Sequence, residues 1–114
     1  MSPQCRDLFA KIQNETEIVF LPEAALSDVI WTLKSFYKWP TNQIYRFVST
    51  LLALNGVQMS RKMVVWQALT LLDEKNVDFS DALIVAEMYQ ANLREVYSYD
   101  HDFDKFEGVV RIEP

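Results

Sequence analysis

This sequence is short of the residues that build most recognisable sites: one cysteine, one histidine and two glycines in 114 residues. A lone Cys5 excludes an internal disulfide, and with His101 as the only imidazole it falls short of a structural zinc ligand set. Neither a Ser-His-Asp triad nor a Cys-His pair can be assembled, because Cys5 and His101 sit at opposite ends of the chain. Gly56 and Gly108 stand alone, so there is no glycine-rich phosphate loop. No apolar run reaches the roughly 18 to 20 residues of a membrane span. The opening "MSPQCRDLFAKIQNE" has no apolar h-region of a secretory signal. A cytoplasmic protein off the membrane is the expectation.

What is present is apolar and aromatic, 50% and 13% of residues, which argues for one packed core and against disorder. Residues 1–77 carry seven acids and eight bases; residues 78–114 carry nine acids and three bases. Composition announces no basic surface for nucleic acid. The C-terminal third needs cations before it can receive a phosphate backbone.

Hydrophobic spacing predicts a helix over "SPQCRDLFAKIQNE", with Cys5 in a core stripe beside Leu8, Phe9 and Ile12. "EIVFL" reads as a strand buried on both faces. A helix from Pro22 to Lys38 follows, with Leu26, Val29, Ile30, Leu33 and Tyr37 inward. After Pro40 comes another, with Ile44, Phe47, Val48, Leu51 and Leu52 inward. Ser60 and Ser80 are candidate N-caps for two further helices, the second running from Asp81 to Leu93. Strands are expected near residues 17–21, 56–59, 95–99 and 109–112. This alternation predicts a single α/β domain over residues 1–114 with a mainly parallel sheet.

In such a fold Asp81, in the first turn of its helix, and Asp100, just after a strand, belong to one rim of the sheet, and Asp28 joins them from the helix after "EIVFL". Converging carboxylates repel one another unless a cation is present, and hard ions such as Mg²⁺ take oxygen ligands. A bound metal suits phosphodiester hydrolysis and needs no histidine base. Blander readings stand beside this one. Asp81 could serve only the helix dipole, and Asp100, Asp102 and Asp104 could be a solvated turn, the reading favoured for Asp104. Asp28 interrupts an apolar helix and carries a desolvation cost unless something compensates. His101 is expected to be exposed or hydrogen-bonded, and Trp31, Trp39 and Trp66 to be packing anchors.

Two stretches, "VDFSDALIVAEMYQANLREVYSYDHDFDKFEGVVRIEP" and "FLPEAALSDVIWTL", resemble the PIN-domain family, in particular the VapC-type toxin ribonucleases. The resemblance implies a three-layer α/β/α fold with a short, mainly parallel central sheet. It also implies Mg²⁺- or Mn²⁺-dependent cleavage of single-stranded RNA, a homodimer, and an antitoxin partner. Carried over by residue, Asp81 and Asp100 match acidic metal-site positions, Ser98 is the accompanying hydroxyl, and Asp102 assists. Asp28 stands where the family usually has Glu, one methylene shorter in reach. The family's first strand and its first Asp precede the region matched by "SPQCRDLF", so the domain is expected to be N-terminally incomplete. That keeps open a noncatalytic binding or dimerisation module, with the helices around Trp31, Phe36, Tyr37, Tyr45 and Phe47 as contact surface.

Overall fold

Proline sets where the first two described helices begin. Helix α1 (Glu23–Ser35) follows Pro22 and α2 (Thr41–Ala53) follows Pro40, each proline extended with φ of -66° and -67°. A residue with fixed φ and no amide hydrogen loses nothing at a helix entrance. The computed structural model describes residue 14 and residues 17–114; the N-terminal helix expected around Cys5, Leu8, Phe9 and Ile12 lies outside the described residues. The chain divides into two compact units, Met1–Lys62 and Met63–Pro114.

In the first unit, strand β1 (Val19–Phe20) pairs in parallel with β2 (Val57–Gln58), Val19 opposite Val57. The amides of Val19 and Leu21 donate to the carbonyls of Gly56 and Gln58, both at 2.8 Å. The buried side chains are Leu26 and Ile30 of α1, Ile44, Val48 and Leu52 of α2, and Val57. Ile44, Val48 and Leu52 recur every fourth residue, the spacing that puts one stripe on a helix. Glu23 and Arg61 form a two-pronged pair at 2.6 and 2.9 Å, tying the start of α1 to the turn after β2. Several expected inward residues are instead exposed. Ile18, Val19 and Phe20 are not buried on both faces, because β1 is two residues long and pairs only with β2 among the described residues. Val29, Tyr37 and Phe47 are also exposed. Trp39 packs on Phe47 with ring centroids 5.8 Å apart, as a packing anchor should, whereas Trp31 is 65% exposed.

The second unit is built on α3 (Lys62–Lys75, its first residue closing the first unit) and α4 (Phe79–Ala91). Val65, Ala68, Leu69, Leu71 and Leu72 of α3 are buried, as are Phe79, Ala82, Val85, Ala86 and Met88 of α4. Helix α4 begins earlier than a Ser80 cap would place it: Asp78 is its N-cap. It ends at Asn92, left-handed at φ 61°, where the Leu93 amide turns back to the Met88 carbonyl at 2.9 Å. Asn tolerates that conformation better than most side chains. Strand β3 (Glu95–Tyr97) then pairs in parallel with β4 (Val110–Ile112). A parallel pair cannot be joined by a tight hairpin. Residues 98–109 make the crossover, using a 3₁₀ helix (His101–Lys105) pinned by buried Phe103 and Phe106.

The fold is thus mixed α/β, and the four strands among the described residues fall within the four predicted stretches, in two parallel ladders. No helix among the described residues is long and apolar enough to cross a membrane.

Candidate metal centre

Three carboxylates meet in the second unit because three local signals put them there. Asp81 is the third residue of α4, in its first turn. Asp100 follows β3 and is the N-cap of the 3₁₀ helix, its Oδ1 accepting from the Asp102 amide at 2.9 Å. That bond holds Asp102 inside the first turn of the same helix. Behind them the Ser98 hydroxyl accepts the Asp100 amide at 3.0 Å, so Ser98 shapes the turn. One ligand oxygen from each of Asp81, Asp100 and Asp102 lies within 4.8 Å of the other two.

So close a group cannot be fully ionised without strain. Burial, then a hydrogen bond to Asp100 and the charges of Asp100, Asp78 and Asp102, push the Asp81 carboxyl up from 3.8 to about 6. A helix N-terminus favours a negative charge, but here it is outweighed. The donor set is all carboxylate oxygen, the chemistry a hard divalent ion selects, and a cation would relieve the repulsion that raises Asp81. The residues fit such an ion. Lys105 already supplies one positive charge, its Nζ 3.0 Å from Asp102 Oδ1.

Asp104, the third of the alternating acids, faces another way. Arg111 Nε donates to its Oδ1 at 3.1 Å, and Arg111, helped by His101, holds the carboxyl below its usual range. It lies in a solvated turn, the reading favoured for it, and the ion pair with Arg111 is added by the structure. His101 is exposed and hydrogen-bonded, also as expected. Asp28 belongs to the first unit, on α1, where it is exposed and borders a shallow hollow of about 230 Å³ with Val29, Thr32 and Leu33. The desolvation expected for an acid inside an apolar helix is therefore not met. Among the described residues, the group whose oxygens come together consists of Asp81, Asp100 and Asp102.

A model of the PIN domain matches residues 3–109, nearly the whole chain. The chain belongs to the PIN-domain family. A curated relative, the VapC ribonuclease of Aquifex aeolicus (strain VF5), is 26% identical over 106 residues, which cover 93% of this chain and 78% of that protein. No solved structure gives a significant match to this PIN domain.

Sequence reasoning passed over two neighbours of the site. Lys105 carries an i, i+3 signal to Asp102, legible once the segment is helical. Arg111 interrupts the apolar "VVRI", and a cation in a short strand needs partners; that was the available signal.

Proposed function

We propose that this PIN domain is a Mg²⁺- or Mn²⁺-dependent ribonuclease that cleaves phosphodiester bonds of single-stranded RNA. The observation that carries the reading is the three-carboxylate group at the start of α4 and the end of β3. Asp81, Asp100 and Asp102 would hold the cation. When bound, the ion supplies Lewis-acid polarisation of a phosphoryl oxygen and lowers the pKa of a water. The chain's own contribution is placement. Asp81 gives up its proton, Asp100 keeps its capping bond to the Asp102 amide, and Ser98 fixes the backbone from which both acids project. The family match crosses both compact units, which supports one PIN domain over residues 1–114. Asp28 is assigned to this chemistry by its place on the helix after "EIVFL" and by the resemblance.

The test is cleavage of single-stranded RNA with Mg²⁺ or Mn²⁺ against excess chelator, beside Asp81→Asn, Asp100→Asn and Asp28→Asn. Loss of a metal ligand should lower the rate about a hundredfold or more. Equal cleavage by the wild type and by Asp81→Asn would remove the assignment.

A binding role has its own support in the first unit. Trp31, Phe36 and Tyr37 are 65%, 74% and 62% exposed, more apolar surface than scattered single residues present. We place a homodimer contact there, with an antitoxin-like protein, implied by the resemblance to VapC-type toxins, as the second partner. A noncatalytic module would keep this association and show no metal-dependent cleavage.

A further inference from the structure

Arg111 is only 12% exposed, and its guanidinium makes contacts in four directions. Nε donates to Asp104 Oδ1 at 3.1 Å, and Nη1 donates to the Ser98 carbonyl at 3.3 Å and to Glu113 Oε1 at 2.7 Å. Nη2 lies 3.0 Å from His101 Nδ1. The same Nδ1 also lies 3.4 Å from Asp104 Oδ2, so His101 sits between the arginine and the carboxylate. Three of these partners, Ser98, His101 and Asp104, lie on one stretch of seven residues. Asp100 and Asp102 lie between them.

We propose that Arg111 is a positioning residue: by gripping Ser98 at one end and Asp104 at the other, it holds the segment that presents Asp100 and Asp102 to a metal ion. The geometry is that of a bracket. Asp100 and Asp102 are both on a turn, and a turn free at one end would swing its carboxylates away from Asp81, which α4 fixes independently. Arg111 closes that freedom from β4. Because it touches none of the three ligand carboxylates, its role is exerted through the backbone.

The inference rests on the metal-centre reading, and the sign of one measurement separates geometry from charge. Removing a cation beside a group of carboxylates should, by Coulomb attraction alone, tighten binding of another cation. Loss of the bracket should weaken it. The experiment is Mn²⁺ titration by calorimetry, with the electron paramagnetic resonance spectrum of bound Mn²⁺ as a second readout, on wild type, Arg111→Gln, Arg111→Lys and Glu113→Gln. Arg111→Gln should weaken Mn²⁺ binding about tenfold, the range seen when an outer support of a metal site is lost. Arg111→Lys keeps the charge but not the fork and should weaken it in the same direction. Glu113→Gln, outside the bracketed stretch, should stay within about twofold, well below that range. Should Arg111→Gln fail to fold, Arg111→Lys and Asp104→Asn report the same property. Binding as tight as wild type, or tighter, in the folded Arg111 variants overturns the inference and leaves the metal centre standing. If wild type shows no Mn²⁺ binding that Asp81→Asn abolishes, the metal centre itself falls, and the role of Arg111 with it.

Discussion

The two halves of this chain use a parallel pair of strands for different ends. In the first unit the β1–β2 ladder is two residues long, and Ile18, Val19 and Phe20 lie exposed beside it. In the second the β3–β4 ladder is three residues long and its crossover is anchored by Phe103 and Phe106, so it can carry a crowded set of charges. Carboxylates that repel one another must be held by something else. Here it is an N-cap bond, two buried rings and an arginine. The first unit holds no comparable charge cluster among the described residues, and around its buried core the large side chains of Trp31, Phe36 and Tyr37 are exposed.

The strongest way to break that contrast is to remove an anchor. Phe103→Ala should lower stability by about 3 to 5 kcal/mol, the range for truncating a buried aromatic, and Mn²⁺ affinity should fall with it. Denaturant unfolding and calorimetry read both. The matching change in the first unit, Trp31→Ala, should alter stability by no more than about 0.5 kcal/mol. It should instead weaken self-association, seen as a shift toward monomer in analytical ultracentrifugation at micromolar concentrations. A large stability loss from Trp31→Ala would erase the difference between the units.

A smaller effect follows from Asp81. Its carboxyl binds a proton near pH 6 in the fold, against 3.8 ordinarily, so between those values the folded chain holds more protons than the unfolded one. Stability from this group is therefore fullest below about pH 3.8 and is lost as pH rises through 6. Without divalent ions the unfolding midpoint, compared between pH 5 and pH 7.5, should fall more in wild type than in Asp81→Asn. Added Mn²⁺ should lessen the difference. The smallest change is expected from Lys105→Ala. It removes the ammonium that competes for Asp102 and should tighten Mn²⁺ binding by less than about fivefold, the scale of an exposed ion pair.

Much of this was legible in the residues. Each strand and its parallel sense followed from short apolar runs alternating with helical stripes, and the nearness of Asp81 to Asp100 followed from one opening a helix and the other following a strand, although the cap is Asp78 and not Ser80. The exposure of Trp31, Val29 and Tyr37 was not legible, because a helical period names a stripe and not what covers it. Asp104 was separable from Asp100 and Asp102 by spacing alone only as an option; Arg111, seven residues later, decides it. Arg111 itself was missed because its partners are gathered by the crossover, and no local pattern in "VVRI" records them.

The N-cap at Asp100 has one more consequence. Its Oδ1 already accepts the Asp102 amide at 2.9 Å, so one lone pair of that oxygen is taken and its approach to a cation is constrained, while Oδ2 does not share that bond. Chelation by both oxygens is how large, loosely coordinated ions such as Ca²⁺ often fill their shells; small octahedral ions make do with one oxygen from each side chain. A backbone amide on Oδ1 would then weigh against the two-oxygen mode. That bias would belong to a turn of the main chain, and exchanging Asp for Glu would not reproduce it.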